Sequence, residues 1–287
     1  GHSNVGIGRN ALYDNTTGDQ NIAIGCSALA NNTTADSNVA IGHTVLITNT
    51  TGTENTAVGH EALYSNTTEN SNSAFGFQAL RANTNDANTG IGYRALCSNT
   101  SGCLNTALGA SAGRDITTGD NNLTLGYYAG RSSSPSGAIT TGNNNVVLGD
   151  DNISNLFCAD TSISSSDLRD KTDIEDFTHG LDFVTKLNPK TYRWDKRSWY
   201  TTNDDQSILD VTPDGSKKRN KKHIGFLAQD VLALEKEIGF ANDKDDMLVV
   251  NQTEDETRYG LKYERLVPML VNAIKELTAR VKELEDG

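Results

Sequence analysis

Aromatic side chains make up 6% of this 287-residue chain, apolar residues 36%, and proline occurs four times. So little apolar material cannot fill one core over the whole length, which argues against a single compact enzyme domain and for one large or two ordinary domains. No apolar run approaches the roughly 18 residues that cross a bilayer. The opening segment GHSNVGIG has neither the basic nor the apolar region of a signal peptide. We therefore expect a soluble chain made in a cytoplasm, with no membrane partner. Four cysteines, Cys26, Cys97, Cys103 and Cys158, have no paired spacing with histidine, so neither a disulfide framework nor a metal site is indicated. Free thiols, no metal and no cofactor are the expectation. Lysine is missing from the first 165 residues, which hold five Arg against 12 Asp and Glu (net −7), whereas the last 122 hold 20 cations against 25 anions (net −5). Glycine divides 20 to 6 in the opposite sense, and both tryptophans, Trp194 and Trp199, lie in the second part. Two bodies with different construction rules share one acidic chain of net charge −12, a balance that argues against general nucleic-acid binding.

The first body is a repeat. A pattern Asn-x-(small or apolar)-(Ile, Val, Leu or Phe)-Gly ends at Gly8, Gly25, Gly42, Gly59, Gly76, Gly92, Gly109, Gly126 and Gly149. The spacings are 17, 17, 17, 17, 16, 17, 17 and 23. An Ala-Leu-like pair follows most of these glycines (Ala28-Leu29, Val45-Leu46, Ala62-Leu63), and then comes Asn-Thr-Thr or a relative of it. Alternation over Asn-Ile-Ala-Ile-Gly is the period of a short strand, Gly permits a corner, and Asn-Thr-Thr-Gly favours a turn. One repeat is then one rung of a stacked coil, with equivalent Asn, Ala and Ile in ladders. At about 4.8 Å per rung, nine rungs make a rod on the order of 40 Å long. The apolar material per rung is small, so we expect several chains to share a core. The Asn-x-Ala-Ile-Gly-x-x-Ala unit resembles the β-rich repeats of trimeric adhesin heads and phage tail fibres, although its length of 17 differs from the shorter adhesin unit. A trimeric β-roll and an intertwined triple β-helix both satisfy the pattern. His43 and His60 occupy equivalent places one repeat apart. They could stack into a metal site, but a solvent-facing rung position is preferred.

The repeat decays from Arg131. Ser132 to Gly137 reads as a loop insertion that accounts for the last spacing, and Asn143 to Gly149 as a final rung. Residues 150–165 are polar and weakly patterned, as a linker is. The expected division is a shaft over 1–149, a linker over 150–165 and a second domain over 166–287.

The second domain opens with Ser166-Asp167-Leu168-Arg169-Asp170-Lys171, which alone reads as a helix cap and a solvated turn. Leu181 to Trp194 reads as a helix leading into a strand, His223 to Val231 as a strand running into a helix, and Tyr259 to Tyr263 precedes a terminal helix that runs from about Tyr263 to Leu284. Three motifs, Ser166-Asp167-x-Arg169-x-Lys171-x-x-Ile174, Leu187-x-Pro189-x-x-Tyr192-x-Trp194 and Gly225-Phe226-x-Ala228-Gln229-Asp230, together resemble the intramolecular chaperone, or auto-processing peptidase, domain found at the C-terminus of phage endosialidases, tail spikes and tail fibres. The resemblance implies an α+β chaperone that drives trimerisation and folding of the β-rich fibre before it and then cuts itself off. It places the cut between Ser165 and Ser166, with Ser166 as nucleophile, Lys171 as base and His223 in a position that matters for processing, where it polarises the scissile carbonyl or merely orders the site; a structural histidine satisfies the sequence equally well. Asp167, Arg169, Gly225 and Gln229 are supporting motif positions. A hydroxyl on the C-terminal side of its own peptide bond can attack the preceding carbonyl and give an ester that water hydrolyses. An exposed lysine, with a pKa of about 10.4, is a poor base at neutral pH. We therefore expect the folded trimer to bury Lys171 away from Asp167, Asp170 and Asp173.

In the terminal helix, Val267, Leu270, Ile274, Leu277, Val281 and Leu284 step 3, 4, 3, 4, 3. That is a heptad seam with β-branched residues at a and Leu at d, which by itself leans towards a parallel dimer, although fewer than three heptads specify oligomer state weakly and an amphipathic helix packed on its own domain fits as well. The resemblance requires a homotrimer, and we side with it. Lys217, Lys218, Arg219, Lys221 and Lys222 could contact phosphate, but a solvated hairpin tip is preferred. The expected protein is a virion tail fibre or spike segment, made in the host cytoplasm and acting once on its own chain, with a host surface receptor or glycan left open as a further partner. The alternative is a trimeric cell-surface adhesin head with a C-terminal domain that folds but does not cleave.

Overall fold

The computed structural model describes residues 1–156, 166–201 and 207–287. It divides into two units: Gly1–Ser154 with Arg197–Thr212, and Asn155–Lys196 with Pro213–Gly287. Among the described residues no helix is long and apolar enough to cross a membrane.

The first unit is a β-solenoid. Nine three-residue strands, β1 (Val5–Ile7), β2 (Ile22–Ile24), β3 (Val39–Ile41), β4 (Thr56–Val58), β5 (Ser73–Phe75), β6 (Thr89–Ile91), β7 (Thr106–Leu108), β8 (Leu123–Leu125) and β9 (Val146–Leu148), form one parallel sheet in sequence order. Each strand pairs with its equivalent in the next repeat: Ala23 lies opposite Ala40, and Ala40 opposite Ala57. Pairing is within one chain, so the coil is a roll and not an intertwining of three strands. The 23-residue spacing is absorbed as the sequence predicts, with Leu123 opposite Val146.

The corner glycine is required by its neighbour. At Gly59 φ is +133°, and a Cβ there would lie 2.4 Å from the carbonyl oxygen of Gly76 in the next rung, so no side chain fits. The next residues turn the chain inward. The leucine of each Ala-Leu pair adopts left-handed backbone, with φ between 48° and 53° from Leu12 to Leu96. That conformation costs a non-glycine residue about 1–2 kcal/mol. Full burial of the side chain and an N–H bond to the next rung, as from Leu29 to Val45 O at 3.0 Å, hold it there.

The core corrects the expectation that chains share the coil interior. The middle residue of β2 to β5 (Ala23, Ala40, Ala57, Ala74), the Ala-Leu-like pairs from Ala28-Leu29 to Ala95-Leu96 and two columns of asparagine are all 0% exposed in the single chain. One column runs through Asn21, Asn38, Asn55 and Asn72. Each Oδ1 accepts from the backbone N–H of the next member (Asn55 N to Asn38 Oδ1, 2.9 Å), and each Nδ2 donates to a turn carbonyl (Asn55 to Glu69 O, 2.8 Å). The second runs through Asn32, Asn49 and Asn66, whose Nδ2 groups donate to the preceding Oδ1 at 2.8 to 3.2 Å. A buried amide with its bonds satisfied fills space as an apolar side chain does, so the thin coil closes without partners. The second column stops where Ile116 replaces asparagine, leaving Asn99 Oδ1 buried with no hydrogen-bond partner. Cys26, Cys97 and Cys103 are free thiols. Cys158 lies outside the described residues.

At the last rung Asp151 is 3% exposed. Its carboxylate accepts from the Ser198 hydroxyl, and its carbonyl accepts from Trp199 Nε1 at 3.3 Å. Ile208 and Val211 of the same excursion are buried. The polar excursion after Trp194 thus contributes its first part to the solenoid unit.

The second unit is α+β. Helix α1 (Leu181–Val184) leads into β10 (Lys190–Tyr192), which pairs antiparallel with β11 (His223–Gly225). Then follow α2 (Ala228–Glu237), the antiparallel pair β12 (Val250–Gln252) and β13 (Tyr259–Leu261), and the 21-residue α3 (Leu266–Asp286). The core is Phe183, Val231, Val249, Val250, Leu266 and Met269. Glu235 on α2 is 0% exposed and accepts from the backbone N–H groups of Leu248, Val249 and Val250 at 3.0, 2.7 and 2.8 Å, pinning α2 to β12. Helix α3 has two apolar faces. Leu266, Met269 and Ala273 are buried in its own domain, whereas Val267, Leu270, Ile274, Leu277, Val281 and Leu284 of the heptad seam are 44% to 83% exposed. Pro268 stands in its first turn, where a missing N–H costs nothing.

Candidate functional site

The first motif builds one tight turn. Asp167 caps a 3-10 turn over Leu168–Asp170 by accepting from Arg169 N, as a short acceptor before a helical turn does. The turn closes with Lys171 N donating to Leu168 O at 3.2 Å. This folds the lysine back, and Lys171 Nζ donates to Ser166 Oγ at 2.8 Å. Arg169 grips the capping carboxylate from the other side, Nε to Asp167 Oδ1 at 3.0 Å and Nη2 to Oδ2 at 2.6 Å. The guanidinium holds the Asp167 carboxyl below its usual range, with the Arg169 N–H adding to the effect, and Asp167 in turn raises Arg169. The capping carboxylate of the turn is thus paired with an arginine. Ser166 and Lys171 are both exposed in the single chain. Ser165, on the other side of the expected scissile bond, lies outside the described residues.

The other two motifs meet at a second place. Tyr192 of β10 lies opposite His223 of β11, their rings stacked at 5.7 Å, and Trp194 meets the same imidazole edge-on at 6.3 Å. Gly225, in the same strand, is buried because a Cβ would lie 2.5 Å from the Tyr263 hydroxyl. That hydroxyl accepts from Phe226 N at 3.1 Å. Burial, helped by Tyr263, raises the Tyr192 phenol. Tyr192, Trp194, Phe226, Gln229, Tyr259 and Tyr263 line a cavity of about 480 Å³. In the sequence Tyr263 marks only the start of the terminal helix and is not a candidate site residue. The signal available was Gly225 itself, since a glycine inside a strand marks a close approach by another group.

Two clusters result. Ser166, Asp167, Arg169 and Lys171 are brought together by one turn, whereas His223, Gly225 and Gln229 surround the aromatic cavity. Among the described residues, no hydrogen bond or ring contact joins His223 to Ser166 or Lys171. In the single chain His223 is a ring-packed strand residue, the structural reading of the two that the sequence leaves open.

Residues 166–240 match the family of the chaperone of endosialidase, Peptidase_S74. The match begins at Ser166 and includes all three motifs. No curated protein and no solved structure matches the chain. The C-terminal region therefore carries a chaperone-of-endosialidase domain, of a family of peptidase-like, self-cleaving chaperones, and it follows a β-solenoid shaft.

In the solenoid, His43 and His60 stack at 5.2 Å and continue into Phe77 and Tyr93 at 5.3 and 5.4 Å. The rings lie face to face on an exposed edge of successive rungs. No group of three or more metal-ligating side chains occurs among the described residues.

Proposed function

We propose that residues 166–287 are an intramolecular chaperone that trimerises and folds the solenoid shaft of a virion tail fibre or spike, and then releases itself by autoproteolysis between Ser165 and Ser166. The observation that carries this reading is the 2.8 Å hydrogen bond between Lys171 Nζ and Ser166 Oγ in a turn whose capping carboxylate, Asp167, is paired with Arg169. For the reaction, Lys171 must be a neutral amine that takes the Ser166 hydroxyl proton. Ser166 Oγ bonds to the carbonyl carbon of residue 165, the C–N bond breaks, and the Ser166 nitrogen leaves as an amine with the proton returned to it. Water then hydrolyses the ester, leaving a carboxylate at Ser165 and a free hydroxyl at Ser166.

Lys171 is exposed in the single chain, and an exposed lysine is protonated at neutral pH. Burial by partner chains is the means by which assembly switches the base on, so cutting follows trimerisation. Two features support the assembly part. The α3 seam presents apolar residues at heptad spacing to solvent, as a helix awaiting other helices does. The Ser198–Trp199 segment, within the matched region, holds Asp151 at the last rung, as a chaperone engaging its client does.

The test is a time course of the expressed protein on a denaturing gel with intact-mass analysis. Wild type is expected to yield a fragment beginning at Ser166, while Ser166→Ala and Lys171→Met stay full length and still assemble. Continued cutting of Ser166→Ala refutes the nucleophile. A wild-type chain that assembles and never cuts refutes the peptidase and leaves the folding-only adhesin alternative.

A further inference from the structure

The outer face of the solenoid sheet contains an internal comparison. First and third strand positions face the same way, outward, while the middle position faces the core. The first position is mixed, apolar in five strands (Val5, Ile22, Val39, Leu123 and Val146) and polar in four (Thr56, Ser73, Thr89 and Thr106). The third position is Ile, Val, Phe or Leu in all nine strands, from Ile7 to Leu148. The third position is the more exposed column, exposed in six of the nine strands while the first is half-buried from Val39 to Leu123, and strand propensity favours Thr as well as Val or Ile. Propensity therefore does not account for the difference. Ile7, Ile41, Phe75, Ile91, Leu108 and Leu148 are 36% to 58% exposed. A continuous apolar ridge on the order of 40 Å long is not what a solitary soluble shaft exposes.

We propose that this third-position column is the surface along which the shafts of further copies of this chain pack, parallel and in register. The inference rests on the trimer reading above and adds where the shafts touch. Three observations select copies of this chain over other occupants. The ridge repeats once per rung, so the partner must present side chains at the same rise over the same length, and a second copy does so by construction. Each shaft carries a net charge of −7 over its first 165 residues, which drives copies apart except along a face without charges, and no member of this column is charged. The exposed seam of α3 is a second apolar row that a parallel helix of another copy completes. In-register packing brings residue 91 of one copy beside residue 91 of the next. The chains do not share the coil interior, which is closed; they share the outside of one sheet face.

Disulfide trapping tests this on the full chain with Cys26, Cys97, Cys103 and Cys158 replaced by Ser. Ile91→Cys in that background is expected to give a covalent dimer on a non-reducing gel under mild oxidation. Thr51→Cys, in an exposed turn away from the sheet face, gives none. Light scattering is run on the same samples. A mass of one 30.8 kDa chain overturns the trimer reading itself. An assembled protein in which Ile91→Cys crosslinks no more than Thr51→Cys overturns the shaft contact and leaves assembly through α3 standing. As a second arm, Phe75→Asp with Ile91→Asp should keep the far-UV circular dichroism of the wild type and abolish the Ile91-type contact, read as dissociation of the released shaft. A shaft that stays assembled with both aspartates also overturns the proposal.

Discussion

Replacing Asn55 by Ala should damage the shaft as much as deleting a core leucine, although asparagine is a polar residue. In the native coil Asn55 Oδ1 accepts from Asn72 N at 3.0 Å and Nδ2 donates to Glu69 O at 2.8 Å. Both Asn55 and Asn72 are 0% exposed, so water cannot take over. Alanine leaves the Asn72 N–H buried without a partner, which costs about 1–3 kcal/mol. Glu69 O keeps a bond from Asn66 Nδ2 at 3.0 Å, so losing its second donor costs only about 0.5–1.5 kcal/mol. The sum is about 1.5–4.5 kcal/mol, against about 2–5 kcal/mol for Leu63→Ala. Because a solenoid rung contacts mainly its neighbours, the loss should be local. Native-state hydrogen exchange is the assay. The Asn72 amide is expected to exchange on the order of ten- to a thousand-fold faster, with amides of β1 and β2 little changed. An unchanged Asn72 amide together with an unchanged denaturation midpoint refutes the polar-core account.

Other consequences follow from the second unit. Glu235→Gln replaces a carboxylate that accepts three backbone bonds by an amide with one acceptor oxygen, and is expected to cost about 2–4 kcal/mol in urea denaturation. Leu277→Asp lies on the exposed seam, 50% exposed in the single chain. It should therefore leave the fold intact by circular dichroism and weaken assembly by light scattering. The Asp167 carboxyl is lowered by Arg169. The pair's contribution is therefore present above the unfolded value of Asp167 and lost as pH falls through the lower folded value. Self-cleavage should accordingly be insensitive to this pair near neutrality and lose the turn geometry only in acid. Asp167→Asn, which keeps an acceptor for Arg169 N but not the charge, should slow cleavage at every pH in gel time courses.

The architecture was legible where the period was strict. The recurring Gly8, Gly25, Gly42 column marked each corner, and the 3-4 steps from Val267 to Leu284 marked the seam. The Ser166, Arg169 and Lys171 spacing marked the turn that brings the Ser166 hydroxyl and the Lys171 amine within 2.8 Å. What misled was counting only apolar residues as core. Asn21, Asn38 and Asn55 look like turn or surface residues in isolation, and only stacking gives each amide a donor and an acceptor one rung away. The packing of His223 was not legible either, because it is the β10–β11 register that sets its ring against Tyr192 and Trp194.

By itself, then, the sequence determined the repeat, the order of the two bodies and the residues of the Ser-Lys turn, because these depend on local periodicity and short spacing. The tertiary structure decided that the coil closes within one chain, that α3 buries one face and leaves its heptad seam to solvent, and that a single outer column of the shaft stays apolar without a partner. Those outcomes depend on which groups meet across 17 residues or more, and burial of a polar side chain is favourable or costly only once its partner's position is known.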